Sequence, residues 1–504
     1  MRSLLSALVV MLTFQPVAGH ALSFDSTGTD VGSEIVTTRH TTTVHGTPLA
    51  YTARAGFIPL LDEAAGEVHA KIFFVSYTVE PNRGSPARPL TFYTAGGPGE
   101  SATLEAFGPR SLKDVKVQEH LPPPPYEMVD NQETWLTFTD LVLIDPVGTG
   151  YSRATRPEYA AQYYNRDGDA ESIAQFIQLY LQRYEPTMRQ PIFVGGVSYG
   201  SIRTALIADI ASRRGIPLRG LILTSSALAN QPRLDNQPRL SDLSYALQLP
   251  TFTATAFFHK KLSPDLQRNF DEALEQAESW AANEYPKLLA QGDALSGDQL
   301  RTAAVEMARL TGLSPEVVLY NRFRFLPDAF LRELLGADWT PAGLYDSRRL
   351  KADQAASGID KNWNPVLSSL YLGGELHFRS EFPYADFIET WVNVHLHGWH
   401  CGPSGDNDCT AAPQALVKLQ RAMRENHSLR VMITNGYYDL DCPYFGTKRA
   451  ISQLEPDLIS RVSITYYKTG HMPPPEHREE VARFIQKVST ISRKTGSAHV
   501  QSVR

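Results

Sequence analysis

One passage constrains this chain more than any other. The apolar run Ile192-Phe193-Val194 leads into Gly196-Val197-Ser198-Tyr199-Gly200, and a helical stretch from Ser201 to Arg214 follows at once. A strand, a sharp turn and a helix in that order place one serine hydroxyl above the end of a sheet. Glycines flank the serine because so tight a turn has no room for side chains there. The N-terminus of the following helix favours negative charge developing beside it. Ser198 is therefore the candidate nucleophile.

The surrounding pattern supports a layered α/β architecture. Lys71 to Tyr77, Leu90 to Thr94, Leu141 to Ile144 and Pro191 to Gly195 read as early strands, and Gly220 to Thr224 follows the helix. Arg430 to Thr434 and Ser463 to Tyr467 repeat the type late in the chain, and His477 to Ser489 is an amphipathic closing helix. Strands alternating with helices imply right-handed crossovers and a mostly parallel sheet flanked by helices. Residues 230–425 differ. Ser263-Pro264-Asp265 reads as a helix start, Asp298 to Leu310 as a second helix and Ser314-Pro315-Glu316 as the start of a third. This segment is read as a helical lid inserted into a core formed by 22–229 and 426–504. Its apolar stripes are core packing, without chemistry of their own.

A nucleophilic serine needs a base and an acid downstream. Of 14 histidines, His471 stands out because Gly470-His471-Met472-Pro473-Pro474 directly follows a strand-like run. Asp439 follows Val431-Met432-Ile433 and the turn at Gly436, with Asp441 as a rival two residues on. The loop Gly96-Gly97-Pro98-Gly99, after the strand Leu90 to Thr94, can aim backbone N–H groups at one point. The N–H groups of Gly97 and Tyr199 are the expected oxyanion donors.

At 504 residues, with 42% hydrophobic and 20% charged residues, the chain can bury a large core. The net charge of −6 is spread without long runs of one sign, which argues against electrostatic binding to nucleic acid or an anionic membrane. Arg2, the apolar Leu4 to Phe14 and the small residues Ala18, Gly19 and Ala21 follow the order of a signal peptide over residues 1–21. A secreted or periplasmic protein is expected. Of three cysteines, Cys401 and Cys409 bracket a polar loop and can close a small disulfide, which leaves Cys442 unpaired. His395, His397, His400 and Cys401 match no common zinc spacing, so neither metal nor cofactor is expected.

Taken together, these motifs resemble the serine carboxypeptidase family, within the α/β-hydrolases, and among them its bacterial secreted members. The resemblance runs from about residue 70 to the C-terminus. It rests on the Gly-Gly-Pro-Gly loop, Gly108-Pro109, Asp145 to Ser152, Gly196 to Gly200, Asp439 to Cys442 and Gly470 to Pro473. The family places its catalytic Asp three residues before a Cys, which selects Asp439 over Asp441. It also implies Gly97 and Tyr199 as oxyanion donors.

The departures bear on substrate. The family's Asn-Gly-Gly-Pro-Gly and Gly-Glu-Ser-Tyr-Gly have Ala95 and Val197 at the Asn and Glu positions here, and a third acidic position aligns with Ala106. In the family those groups bind the free carboxylate of the substrate's last residue. An unpartnered carboxylate there would cost several kcal/mol. The expected function is hydrolysis of peptide or peptide-like amide bonds through an acyl-enzyme on Ser198, Asp439 and His471, acting on a peptide or small-molecule substrate. An esterase, acyl hydrolase or acyltransferase using the same residues is the main alternative, and an inactive binding protein on this fold is the other. With His471 as the only group left titrating between acid and neutral pH, activity is expected to rise through about pH 6.5. The sequence leaves the oligomeric state open.

Overall fold

The computed structural model describes residues 35–80, 84–102, 112–115, 127–228, 242–356, 370–385 and 411–500. The leader 1–21, Ala106, Gly108-Pro109, the histidines at 395, 397 and 400, and the Cys401 and Cys409 pair lie outside them.

The strands are β1 (Val36–Val44), β2 (Thr47–Leu61), β3 (Val68–Val79), β4 (Leu90–Thr94), β5 (Lys113–Val115), β6 (Met128–Asp130), β7 (Asp140–Ile144), β8 (Arg153–Ala154), β9 (Ile192–Val197), β10 (Leu218–Thr224), β11 (Arg430–Gly436) and β12 (Val462–Tyr467). The main sheet runs in the order β1-β2-β3-β7-β4-β9-β10-β11-β12, with β8 on β3 and a separate β5-β6 ribbon. Pairing is antiparallel from β1 to β7 and parallel from β7 onward.

Composition explains this division. Every residue of β4, β7 and β9 is buried, because helices cover both faces of the parallel half. β1, at the edge, instead alternates exposed and more covered positions along Val36-Thr37-Thr38-Arg39. It joins β2 through a two-residue turn in which His45 and Gly46 both have positive φ, which suits the twist of a tight hairpin. This hairpin extends the antiparallel side and was not anticipated from the sequence.

One apolar layer packs β2, β3, β4, β9 and β10 against the helices Arg166–Tyr184, Tyr199–Arg214 and Ala411–Glu425. The sequence reading placed 411–425 at the end of the lid. Its Ala415, Leu419, Ala422 and Met423 instead join the core layer beside the helix that follows Ser198. The opposite face packs Tyr93, Trp135, Phe193 and Met432 against Val481, Ile485 and Val488 of the closing helix, Glu476–Val500.

The inserted helices form a third cluster. Asp242–Phe258, Phe270–Asn283, Gly297–Thr311 and Pro327–Leu335 bury one another's apolar stripes, with Phe252 stacked on Phe330 at 4.0 Å. The helix expected to start at Ser263 is delayed. A short turn at Leu266–Arg268 comes first, and Asn269 caps Phe270–Asn283 by accepting from the N–H groups of Asp271 and Glu272. The expected start at Ser314 is present, and the helix Gly297–Thr311 begins one residue before the expected Asp298, capped by Ser296 together with Gln299. Tyr438, Leu440, Tyr444 and Phe445, just after β11, belong to this same cluster. The insertion therefore packs onto the loop that carries Asp439. Among the described residues, no helix is long and apolar enough to cross a membrane.

Candidate active site

The carboxyl ends of β4, β9, β10, β11 and β12 lie side by side, which is where open parallel sheets place their reactive groups. Ser198 follows β9 directly. Its φ of 56° and ψ of −127° lie where a residue other than glycine is strained, and its N–H donates to Thr224 O at 3.0 Å. The flanking glycines permit the turn. A Cβ on Gly196 would come within 2.3 Å of Gly200 O, and one on Gly200 within 2.6 Å of Ala95 O. The helix Tyr199–Arg214 begins one residue after the serine, earlier than the sequence pattern indicated. Tyr199 is its first residue, so its amide is among those a helix leaves without an intrahelical acceptor.

His471 sits in the loop after β12. Its Nδ1 lies 2.7 Å from Asp439 Oδ2, and Asp439 is wholly buried. The other carboxylate oxygen of Asp439 accepts from the backbone N–H of Asp441 at 2.9 Å and of Cys442 at 3.0 Å. The rival Asp441 is half-buried, donates its backbone N–H to Asp439, and turns its carboxylate to the Cys442 thiol at 3.9 Å. Sequence spacing alone could not separate the two. In the fold it is the Asp439 carboxylate that meets His471 Nδ1.

His471 is held by three further contacts, two to its backbone and one to its ring. Its backbone N–H donates to Tyr345 O at 2.6 Å, and the Tyr345 ring meets it edge-on at 5.5 Å. The hydroxyl of Ser225, at the end of β10, donates to its carbonyl. Burial opposes its charged form, but the Asp439 carboxylate and the hydrogen bond to it outweigh burial and hold the His471 pKa well above the ordinary value. Neither Ser225 nor Tyr345 carries a sequence motif that would have marked it.

Cys442 lies between the partners. Its Sγ is 4.0 Å from Ser198 Oγ, and Asp439, Cys442 and His471 offer atoms within 4.8 Å of one another. Among the described residues no hydrogen bond joins Ser198 Oγ to the imidazole in this conformation. Such contacts commonly tighten only when substrate is bound. Burial, then the nearby Asp439, pushes the Cys442 thiol up to about 12, so it stays protonated. Cys442 is in no disulfide. The same three residues are the one grouping of ligand-type side chains among the described residues. Its Asp–His contact is already a hydrogen bond.

Gly97 has a φ of 98° in the loop after β4, which runs alongside β9 as far as Thr94 and Gly196. Ala95 is fully buried, and Val197 is 4% exposed. The sequence-derived Ser198, Tyr199, Gly97, Asp439 and His471 thus all lie on adjoining strand ends. Ser198 can attack a carbonyl there, with a braced imidazole to move its proton.

Residues 45–247 match the family model of serine carboxypeptidases. Serine carboxypeptidase-like 4 of Arabidopsis thaliana is 28% identical over 190 residues, covering 35% of this chain and 40% of that protein. The pheromone-processing carboxypeptidase KEX1 of Meyerozyma guilliermondii is 26% identical over 396 residues, 75% of this chain and 51% of that protein. The chain thus spans about half or less of the length of these curated relatives. The solved structure of the prohormone-processing carboxypeptidase KEX1(delta)p of Saccharomyces cerevisiae superposes with a TM-score of 0.53 at 15% identity, covering 87% of this chain and 91% of that one. Residues 45–247 are thus similar to the serine carboxypeptidases, and the architecture of the chain is that of the α/β-hydrolase fold.

Proposed function

We propose that this protein is an exported serine-type hydrolase that cleaves peptide or peptide-like amide bonds through an acyl-enzyme, with Ser198 as nucleophile, His471 as base and Asp439 as its orienting acid. The observation that carries this reading is the buried 2.7 Å contact of His471 Nδ1 with Asp439, on the strand end beside a strained Ser198.

His471 Nε2 takes the Ser198 hydroxyl proton as Oγ bonds to the substrate carbonyl carbon. The carbonyl oxygen becomes an oxyanion, which the N–H groups of Gly97 and Tyr199 stabilise. The imidazolium then gives that proton to the leaving nitrogen, the C–N bond breaks, and the acyl group stays on Ser198. A water deprotonated by His471 attacks the ester. Collapse releases the acid and returns the proton to Ser198 Oγ. Asp439 keeps its charge throughout and holds the proton on Nδ1.

An esterase or acyl-transfer reading has support of its own. The buried Ala95 and Val197 stand where family carboxypeptidases keep polar groups for a substrate carboxylate. Neither side chain can bind one. We therefore place substrate recognition away from a free C-terminus. Export rests on the leader-like residues 1–21.

The test is a product-resolved screen of the purified protein against free-acid peptides, their amides and simple esters, with mass detection and Ser198→Ala as the blank. Cleavage of amidated peptides at least as fast as their free acids is expected. A strict preference for the free acid would return the reading to an ordinary carboxypeptidase. Turnover retained in Ser198→Ala would refute the serine mechanism.

A further inference from the structure

Arg203 lies in the second turn of the helix that follows Ser198, and it is wholly buried, as are Ile202, Thr204 and Ala205 around it. Its Nε donates to Asp169 Oδ2 at 2.6 Å, and its Nη1 donates to Ala95 O at 2.7 Å. The same Asp169 oxygen accepts from the Tyr199 hydroxyl at 3.2 Å, and the guanidinium carbon lies 5.0 Å from the centre of the Tyr199 ring. Asp169 comes from another element, the first turn of the helix Arg166–Tyr184, and its side chain is 3% exposed.

Ala95 is the residue that leads into Gly96-Gly97, and Tyr199 directly follows the nucleophile. One buried guanidinium–carboxylate pair therefore ties both segments that would supply oxyanion donors. The approach is close: a methyl on Gly200 would press on Ala95 O at 2.6 Å. We infer that Arg203 and Asp169 are positioning residues that fix the spacing between the Gly97 and Tyr199 amides, and so set the strength of the oxyanion hole. This inference rests on the serine-hydrolase reading above.

Stability alone is a weak reason for such a pair. Removing two charges from water is expensive, and apolar residues of similar volume often hold a fold as well or better. Arg203 Nη2 has no hydrogen-bond partner among the described residues, which adds to that cost. What the pair supplies, and an apolar pair cannot, is direction. A planar guanidinium fixes a carbonyl and a carboxylate in one plane. Oxyanion stabilisation depends on donors standing within a few tenths of an ångström of where the charge develops.

The experiment compares the wild-type protein with Arg203→Lys, Arg203→Gln and Tyr199→Phe. Arg421→Gln serves as control, since it breaks the ion pair between the half-exposed Arg421 and the buried Asp209 on the same helix without touching Ala95 or Tyr199. Three quantities are read: the rate of Ser198 labelling by a fluorophosphonate, the affinity of a boronic acid that forms a tetrahedral adduct on the serine, and kcat and KM on an ester, corrected for active-site concentration. For Arg203→Gln we expect kcat to fall about 10²- to 10³-fold, the size of losing an oxyanion donor. KM and the pH midpoint of activity should hold, and boronate affinity should fall in proportion to kcat/KM. Arg203→Lys should recover part of the loss. Tyr199→Phe, which keeps the ring and removes one hydrogen bond, should lose about three- to tenfold and remains informative if the arginine variants do not fold. Arg421→Gln should match wild type. A lowered melting temperature with unchanged labelling, boronate affinity and kcat would make the pair structural and overturn the inference. Failure of the wild-type protein to label at Ser198 would instead overturn the serine reading itself.

Discussion

Asp439→Asn separates the two carboxylates that sequence spacing left in competition. The carboxylate it replaces makes three hydrogen bonds: one to His471 at 2.7 Å, and two accepted from the backbone N–H groups of Asp441 and Cys442 at 2.9 and 3.0 Å. Asparagine has one oxygen. Both amide donors face the same side, so that oxygen turns toward them and the NH2 group turns toward His471 Nδ1. A donor facing Nδ1 forces the imidazole proton onto Nε2, and Nε2 can then no longer accept the Ser198 proton. The loss expected from the wrong tautomer is about 10⁴-fold in kcat, or ~5.5 kcal/mol of transition-state stabilisation. The loss of folding stability is smaller, about 1–3 kcal/mol for one disturbed buried hydrogen bond. Active-site titration followed by steady-state kinetics on an ester, alongside thermal unfolding, keeps these two effects apart. Asp441→Asn, at a half-buried site outside the bond to His471, should stay within about threefold of wild type, since substitutions away from a buried network cost about 0.5 kcal/mol or less. Retention of more than a tenth of wild-type kcat in Asp439→Asn, or an equal loss in Asp441→Asn, would refute the assignment.

Because Asp439 holds the His471 pKa well above its ordinary value and the neutral imidazole is the base, activity in wild-type protein should rise with a midpoint above pH 6.5; a kcat/KM profile centred at or below 6.5 would contradict this. The same raised pKa stabilises the fold fully below the unfolded value near 6.5, and that contribution fades as pH climbs through the folded value. The melting-temperature gap between wild type and His471→Asn should therefore be wider at pH 5.5 than at pH 9, and a constant gap would argue against a charged pair. Cys442, 1% exposed and with its thiol pushed up to about 12, should alkylate at pH 8 at least tenfold more slowly in native than in unfolded protein. Mass mapping without reduction should find this residue free, and its recovery in a disulfide would overturn that.

Legibility in the sequence followed the range of the constraint. The turn at Ser198 could be read because each requirement lies within five residues: an apolar run before, a glycine on either side, a helix after. Asp439 and Asp441 could not be told apart by spacing, because the choice depends on which carboxylate the chain turns inward under the lid. The family resemblance named Asp439, and the buried contact with His471 is consistent with that choice. Ser225 and Tyr345 support His471 through a carbonyl and an N–H, and backbone partners leave almost no compositional trace. Arg203 did leave one, a lone cation among Ile202, Ala205, Leu206 and Ile207, yet its partner lies 34 residues upstream. Spacing groups 411–425 with the inserted helices, whereas the helix packs on the core layer, because an amphipathic helix looks the same whichever core it faces.

The arrangement separates chemistry from recognition in physical terms. Besides the bond between Asp439 and His471, the hydrogen bonds that hold the candidate catalytic residues come from the backbone of residues 201, 224, 345, 436, 441 and 442, and from the Ser201 and Ser225 hydroxyls. None comes from the side chains of Ala95 or Val197. A polar-to-apolar change at those two positions therefore leaves Ser198, Asp439 and His471 supported as before, while removing what would hold a substrate carboxylate. The inserted helical segment is not independent in the same way. Tyr345 carries the carbonyl that receives the His471 N–H, and its half-exposed ring stands edge-on to the imidazole. A substitution in that segment that shifts the backbone at Tyr345 moves the base, whereas a substitution at Val197 that fits its space need not. Variation in this protein's specificity is thus cheapest on the strand ends beside the nucleophile and most constrained where the insertion touches His471.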